Sequence, residues 1–305
     1  MTSAEYKCLD GDLKVVDSMK SDFDEHGYIM VRNFLDSKEL LQIKKALEDY
    51  DSVTGKSYKI SDKDGRECRL ALWSHPGNDV TGMVARCEKM VNTCEMLLGG
   101  DVYHYHTKLM MKNAETGGCH LWHQDYGYWY KNGCLFPDML TVFIAIDRCN
   151  EENGCLEILR ASHKCGKIDH LMVAGQTGAD IDRVMDIKNS GQCPLEVVEM
   201  EPGDALFFHC NLLHTSGPNF SPHRRWAFLT AYNKASNNPV LVHHHPQYTP
   251  LYKVPNSAIL ECTNFTDMTG KDFLDPKNDK TVVSVDRNDN DGSPEEKKKK
   301  SSEGT

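Results

Sequence analysis

Leu195-Glu-Val-Val-Glu-Met-Glu-Pro-Gly-Asp-Ala-Leu-Phe-Phe-His209 holds two strand-length runs, Leu195 to Met200 and Asp204 to His209, about the turn Glu201-Pro-Gly-Asp204. β-Branched and aromatic residues suit a pleated, half-buried surface, and a Pro-Gly step interrupts either kind of regular element. The pattern extends in both directions. Val102 to Lys112, Leu140 to Asp147 and Cys155 to Leu159 precede it and Arg225 to Tyr232 follows, with Glu151-Glu-Asn-Gly154 and Ser216-Gly-Pro-Asn219 as further stops. Toward the N-terminus the period changes. After Gly27, Tyr28-Ile-Met-Val-Arg reads as a strand; Asp36 with Glu39 is a capping box, and Leu40, Leu41, Ile43, Ala46 and Leu47 keep helical spacing to about Tyr50. A mobile polar loop is expected over 53–68 and a second helix over Gly82 to Leu98. Helices followed by many short strands make the chain mainly β with flanking helices, an antiparallel sandwich or barrel braced by N-terminal α-helices.

A length of 305 residues suits one large catalytic domain, or at most two small ones. We read 1–20 as an N-terminal extension and 21–280 as that domain, with an insertion of mixed character over about 160–194. Residues 281–305, with Pro294-Glu-Glu-Lys-Lys-Lys-Lys-Ser301, read as a disordered charged tail. The formal net charge of −10 argues against nucleic acid or an anionic membrane as partner. No stretch approaches the roughly 20 apolar residues that span a bilayer, and Met1 to Val16 lacks a signal-peptide core. Twelve cysteines lie singly, no two as CxxC, which fits reduced thiols rather than bridges or zinc ligands. The expectation is a cytoplasmic protein acting on a small-molecule substrate.

The chemistry is carried by Trp122-His123-Gln124-Asp125-Tyr126. On a strand, positions i and i+2 share a face, so His123 and Asp125 project together. An imidazole and a carboxylate on one face are two parts of the facial triad that binds non-haem iron(II), and His214, after the apolar strand ending at His209, supplies the third. Such a triad leaves room for a chelating keto acid and O2, whereas a closed four-ligand zinc site leaves none. A bare His-x-Asp is a weak signal; the ordered set with a late histidine and Arg225 is specific. Arg225 offers a two-pronged cation for a co-substrate carboxylate and is expected, across a hairpin, beside the strand of His214; Arg224 points the other way. Tyr126, Tyr128, Trp129 and Tyr130 crowd the mouth, where they cage an ammonium or simply pack. Lys108 and Lys112 attract a carboxylate or phosphonate, or are solvated edge lysines. His243-His-His245, in a proline-bearing loop without a carboxylate, reads as surface.

These residues carry a resemblance. Gly27-Tyr28, Leu109-Met-Met-Lys112, Trp122 to Tyr130, Glu152-Asn-Gly-Cys-Leu156, Ala161-Ser-His163, Pro202-Gly-Asp204 and His214 through Arg225 resemble, in order over about 22–235, the phytanoyl-CoA hydroxylase superfamily, nearest its ectoine hydroxylase and small-molecule proline hydroxylase branch. The resemblance implies a cupin-like double-stranded β-helix, or jelly roll, with Fe(II) on His123, Asp125 and His214. It implies 2-oxoglutarate held by Arg225 and Ser216, with His106 and Trp129 as further contacts. Two departures stand out: Arg225-Trp-Ala227 replaces the usual Arg-x-Ser, and His106 stands where ectoine hydroxylases carry glutamine. An intact Asp125 favours hydroxylation over halogenation. The expected activity is hydroxylation of an unactivated C–H bond in a small zwitterion such as an amino acid, an ectoine-like osmolyte or an aminophosphonate. Competing readings are a non-catalytic 2-oxoglutarate or iron sensor, and a hydroxylase of an acyl-CoA or a protein; no basic cluster for CoA phosphates is evident in the folded region.

Overall fold

The computed structural model describes residues 4–173 and 176–278. The first third of the chain forms β1 (Glu5–Lys7), α1 (Asp17–His26), β2 (Tyr28–Arg32), α2 (Ser37–Glu48), α3 (Asp51–Thr54), β3 (Tyr58–Ser61), β4 (Glu67–Ser74), α4 (Val80–Arg86) and α5 (Glu88–Leu98). The middle forms β5 (Val102–Lys112), β6 (His120–His123), α6 (Asp125–Trp129), β7 (Met139–Ala145), β8 (Leu156–Leu159), β9 (His170–Val173), β10 (Gln176–Ala179) and α7 (Ile181–Asn189). Then follow β11 (Leu195–Val198), β12 (Ala205–His209), β13 (His214–Ser216), β14 (Arg225–Lys234), α8 (Ala258–Glu261) and β15 (Asp272–Phe273). Among the described residues no helix is long and apolar enough to cross a membrane.

Two sheets face each other. The larger runs β1-β2-β12-β7-β14-β5-β4-β15 with β3 on β4, and the smaller runs β11-β8-β13-β6. From β5 to β8 and again from β11 to β14 the chain passes back and forth between them, which is the jelly-roll path. Side-chain alternation then builds two apolar layers. Val142, Ile144, Phe207 and Phe228 pack outward under Phe23, Ile43, Leu47 and Val91 of the helices. Phe143, Ala145, Leu206 and Phe208 point inward to Leu156 and Ile158.

The capping box at Asp36 forms as read, its carboxylate accepting from the backbone of Lys38 and Glu39 while Glu39 caps Asp36 in return. Two expectations change. The polar stretch 53–68 is a hairpin, not a loop: β3 pairs with β4, and the Asp62 carboxylate organises the turn by accepting from the backbone of Asp64, Arg66 and Cys119. Gly82 to Leu98 is broken at Cys87, where the returning chain intervenes; Val254 donates to Arg86 O and accepts from Glu88 N, both at 3.0 Å. Residues 160–194 hold the β9–β10 hairpin and α7. Residues 1–3 and the tail expected over 281–305 lie outside the described residues.

Candidate metal centre

His123 ends β6 and His214 opens β13, and the two are partners across an antiparallel pair with ring centroids 4.0 Å apart. Asp125 is not on the strand. It begins α6, but Gln124 between keeps an extended backbone, so the i, i+2 relation survives the change of element. One ligand atom from each of His123, Asp125 and His214 lies within 4.8 Å of the others. Each imidazole is oriented from its own chain: His123 Nδ1 donates to Leu121 O at 2.7 Å, and His214 Nδ1 to Leu212 O at 2.9 Å. That assignment leaves Nε2 of both rings with a free lone pair, as a metal requires. Burial foremost pushes both histidines down, so they are neutral at neutral pH. Burial alone would raise Asp125, but the Lys108 ammonium and the Thr141 hydroxyl outweigh it and hold the carboxyl below its usual range. Thr141 donates to Asp125 Oδ2 at 2.5 Å, and Lys108 Nζ lies 3.6 Å from Oδ1. Two neutral imidazoles and one carboxylate on one side of a shared point fit iron(II) with open positions.

A cavity of about 660 Å³ opens beside the triad, between the sheets. Arg225 reaches it, though not across a hairpin from His214. β14 lies between β5 and β7 in the larger sheet while β13 belongs to the smaller, so the segment joining them crosses from one sheet to the other. Arg225 Nη2 donates to Gly154 O at 2.8 Å, and its buried Nε has no partner, a donor available to an incoming carboxylate. Gly154 must be glycine: its φ is +72°, and a Cβ there would lie 2.2 Å from Gly217 O. Ser216 lines the cavity too. Lys112 does not; it is sealed behind Ser216, donating to Ser216 Oγ at 2.9 Å and to Gly217 O, and burial followed by repulsion from Arg225 holds it down at about 7. As β5 runs between β14 and β4, neither Lys108 nor Lys112 sits on an edge strand.

At the other end Trp129, Tyr128 and His106 face the cavity, as expected, but Tyr126 is turned away and donates its hydroxyl to Cys134 O at 3.0 Å. Tyr130 is half exposed and packs against Lys167. His106 arrives through a β-bulge. The register of β5 with β14 slips so that Tyr105 is the extra residue, and Tyr105 and His106 both contact Trp129. His245, expected on the surface, is buried in this wall with its ring centroid 4.8 Å from that of His106.

Sequence reasoning missed five contributors. Thr141 was findable as a polar residue at an inward-facing position of an apolar strand. Gln124 and His170 bind the 160–194 segment to the metal motif: Gln124 N donates to His170 Nε2 at 2.9 Å, and its side chain joins Gly166 O, Asn211 O and Ile168 N. Gly127 lies so close to His170 that a Cβ would meet the ring at 2.2 Å. His245 left no local signal, because only the path of the irregular segment 235–257 brings it in.

The family model described as phytanoyl-CoA dioxygenase (PhyH) matches residues 23–227. L-proline trans-4-hydroxylase of Streptomyces griseoviridis is 26% identical over 243 residues, 73% of this chain and 87% of that protein. Ectoine dioxygenase of Streptomyces coelicolor is 24% identical over 235 residues, 71% of this chain and 77% of that protein. Among solved structures, EctD from S. alaskensis with 2-oxoglutarate and 5-hydroxyectoine superposes with a TM-score of 0.66 at 18% identity, over 84% of this chain and 93% of that one, a likeness of fold.

Proposed function

Because the chain belongs to the phytanoyl-CoA dioxygenase family, we propose that it is an Fe(II)- and 2-oxoglutarate-dependent dioxygenase that hydroxylates an unactivated C–H bond of a small polar, zwitterionic molecule. One observation carries the reading: a pair of imidazoles and a carboxylate, distant in sequence, meet within 4.8 Å at the wall of a cavity. His123, Asp125 and His214 hold the iron. When bound, the metal supplies activation of O2, coupled to oxidative decarboxylation of 2-oxoglutarate to succinate and carbon dioxide, which puts a hydroxyl on carbon.

The chain's own residues supply position and dryness. Leu121 O and Leu212 O fix the two ring orientations, and Thr141 fixes the carboxylate. Arg225, with Nε unsatisfied, takes the far carboxylate of 2-oxoglutarate beside Ser216, which Lys112 braces from behind. His106 and Trp129 close the opposite wall, and Tyr128 and Lys108 face the substrate. The small zwitterion accords with relatives named for proline and ectoine. We assign 21–280 as one catalytic domain. The twelve cysteines, all unpaired thiols, support a reducing, cytoplasmic setting.

The test is succinate release from 2-oxoglutarate with iron(II) and O2, without added substrate. Slow turnover is expected from the wild type and none from Asp125→Ala. Wild-type protein that neither releases succinate nor binds 2-oxoglutarate would defeat the proposal.

A further inference from the structure

We infer that this enzyme recognises its substrate by an acid group seated on Lys108, and that an amine on the substrate is dispensable for binding. The inference rests on the oxygenase reading above and narrows the substrate to small molecules bearing a carboxylate or comparable oxyanion.

The argument is one of charge. Of the residues lining the cavity, only Asp125 is a carboxylate, while Lys59, Lys108, Lys131 and Arg225 are cations. Lys59 is already paired with Glu67 at 2.6 Å, and its side chain is 65% exposed. Lys108 pairs with Asp125 at 3.6 Å, and its side chain is only 19% exposed. That partner is not free to stay. Asp125 is the anionic member of the metal set, so its charge is claimed once a divalent cation binds. The metal, Asp125, Arg225 and a dianionic 2-oxoglutarate then cancel among themselves. Lys108 is left over, a cation in a confined cavity with no protein carboxylate lining it to turn to. Such a charge is costly unless a counter-ion arrives, and the remaining occupant of the cavity is the substrate.

The histidines of the far wall add no charge of either sign, because burial keeps His106 and His245 neutral. A substrate ammonium would therefore find aromatic faces and neutral imidazoles, but no carboxylate. Lys131, which also lines the cavity, adds a second cation. Recognition is thus lopsided: an oxyanion gains a buried ion pair, whereas an amine gains only weak neutral contacts.

Anaerobic calorimetry tests this, since without O2 the loaded enzyme binds but does not turn over. Wild type and Lys108→Gln are first titrated with iron(II) and 2-oxoglutarate, then with four probes: L-proline, tetrahydrofuran-2-carboxylate, which lacks the amine, L-prolinamide, which lacks the acid, and acetate as a minimal carboxylate. The acids are expected to bind wild type, the first two within about tenfold of each other, and the amide at least tenfold more weakly. Lys108→Gln should weaken every acid about tenfold or more and leave L-prolinamide within about twofold, and an unchanged midpoint in urea denaturation shows that the variant is folded. The inference is overturned if the amide matches the acids, if Lys108→Gln shifts 2-oxoglutarate instead of the probes, or if no acid binds the loaded wild type. Failure of wild type to bind metal or 2-oxoglutarate is a different result; it removes the oxygenase reading, and this inference with it.

Discussion

At the metal end of the cavity each imidazole Nδ1 donates to a carbonyl two residues back and Asp125 is held by Thr141 and Lys108, whereas at the far end both ring nitrogens of His106 and the Nδ1 of His245 are buried without a partner. At the metal end each histidine is oriented by its own backbone two residues back, while Thr141 and Lys108 reach Asp125 from the larger sheet. The far end is assembled by a bulge and by a segment from the C-terminal side of the jelly roll, and its polar atoms are left unsatisfied, a cost of about 1–3 kcal/mol per group. Pre-organisation and local satisfaction go together where a metal must be gripped in one geometry. Where the wall only has to shape a space, the fold tolerates unmet hydrogen bonds.

Four substitutions probe that contrast. The largest effect is expected at the metal end: His123→Ala removes a ligand worth several kcal/mol, so succinate release should fall about 1000-fold or more. Retention of more than a tenth of the activity would break the contrast. Next, Arg225→Lys keeps the charge but loses the fork, about 2 kcal/mol of charged hydrogen bonding, or roughly a 30-fold rise in half-saturation by 2-oxoglutarate. Thr141→Val should weaken iron binding about tenfold, at the low end for a group one shell out from the metal, without altering the fold; equilibrium dialysis reads it.

The smallest effect belongs to the far end. His106→Phe replaces an unsatisfied imidazole by a ring of similar shape and should leave stability unchanged or raise it by about 1 kcal/mol in urea denaturation of the metal-free protein. The same variant has a signature in pH. Burial depresses His106 well below its ordinary 6.5, so below that pH the unfolded chain takes up a proton that the native state refuses. Stability therefore falls as pH drops from 6.5 toward the native pKa, by up to about 1.4 kcal/mol per pH unit for this one group. His106→Phe should flatten the decline by that amount, and an unchanged slope would mean that His106 finds a partner in solution.

How much was legible follows the same division. His123 and Asp125 could be read as a pair because a two-residue spacing survives even when the strand gives way to a helix, as it does at Gln124, whereas His214 had only its place after an apolar strand to mark it. Arg225 was expected in the wrong place, since the eight-residue link between β13 and β14 does not reveal whether it turns within a sheet or crosses to the facing one. Lys108 and Lys112 look alike on paper, four residues apart on one strand. One faces the cavity and the other is walled in by Ser216 and Gly217, a difference made by the neighbouring strands. Tyr126 and Tyr128 divided for a similar reason: α6 gives each side chain its own direction, where an aromatic cluster read from sequence has none.

By itself the sequence determined the element types through most of the chain, the shared direction of His123 and Asp125 and the capping of α2, because each depends on residues a few positions apart whose chemistry acts locally. Tertiary structure alone decided the break at Cys87, the delivery of His106 by a bulge, the burial of His245, and the pairing of Lys108 with Asp125. Each of those requires two stretches far apart in the chain to meet. Which stretches meet is set by how two twisted sheets bury their apolar faces together, a property of the whole domain that no short window of residues contains.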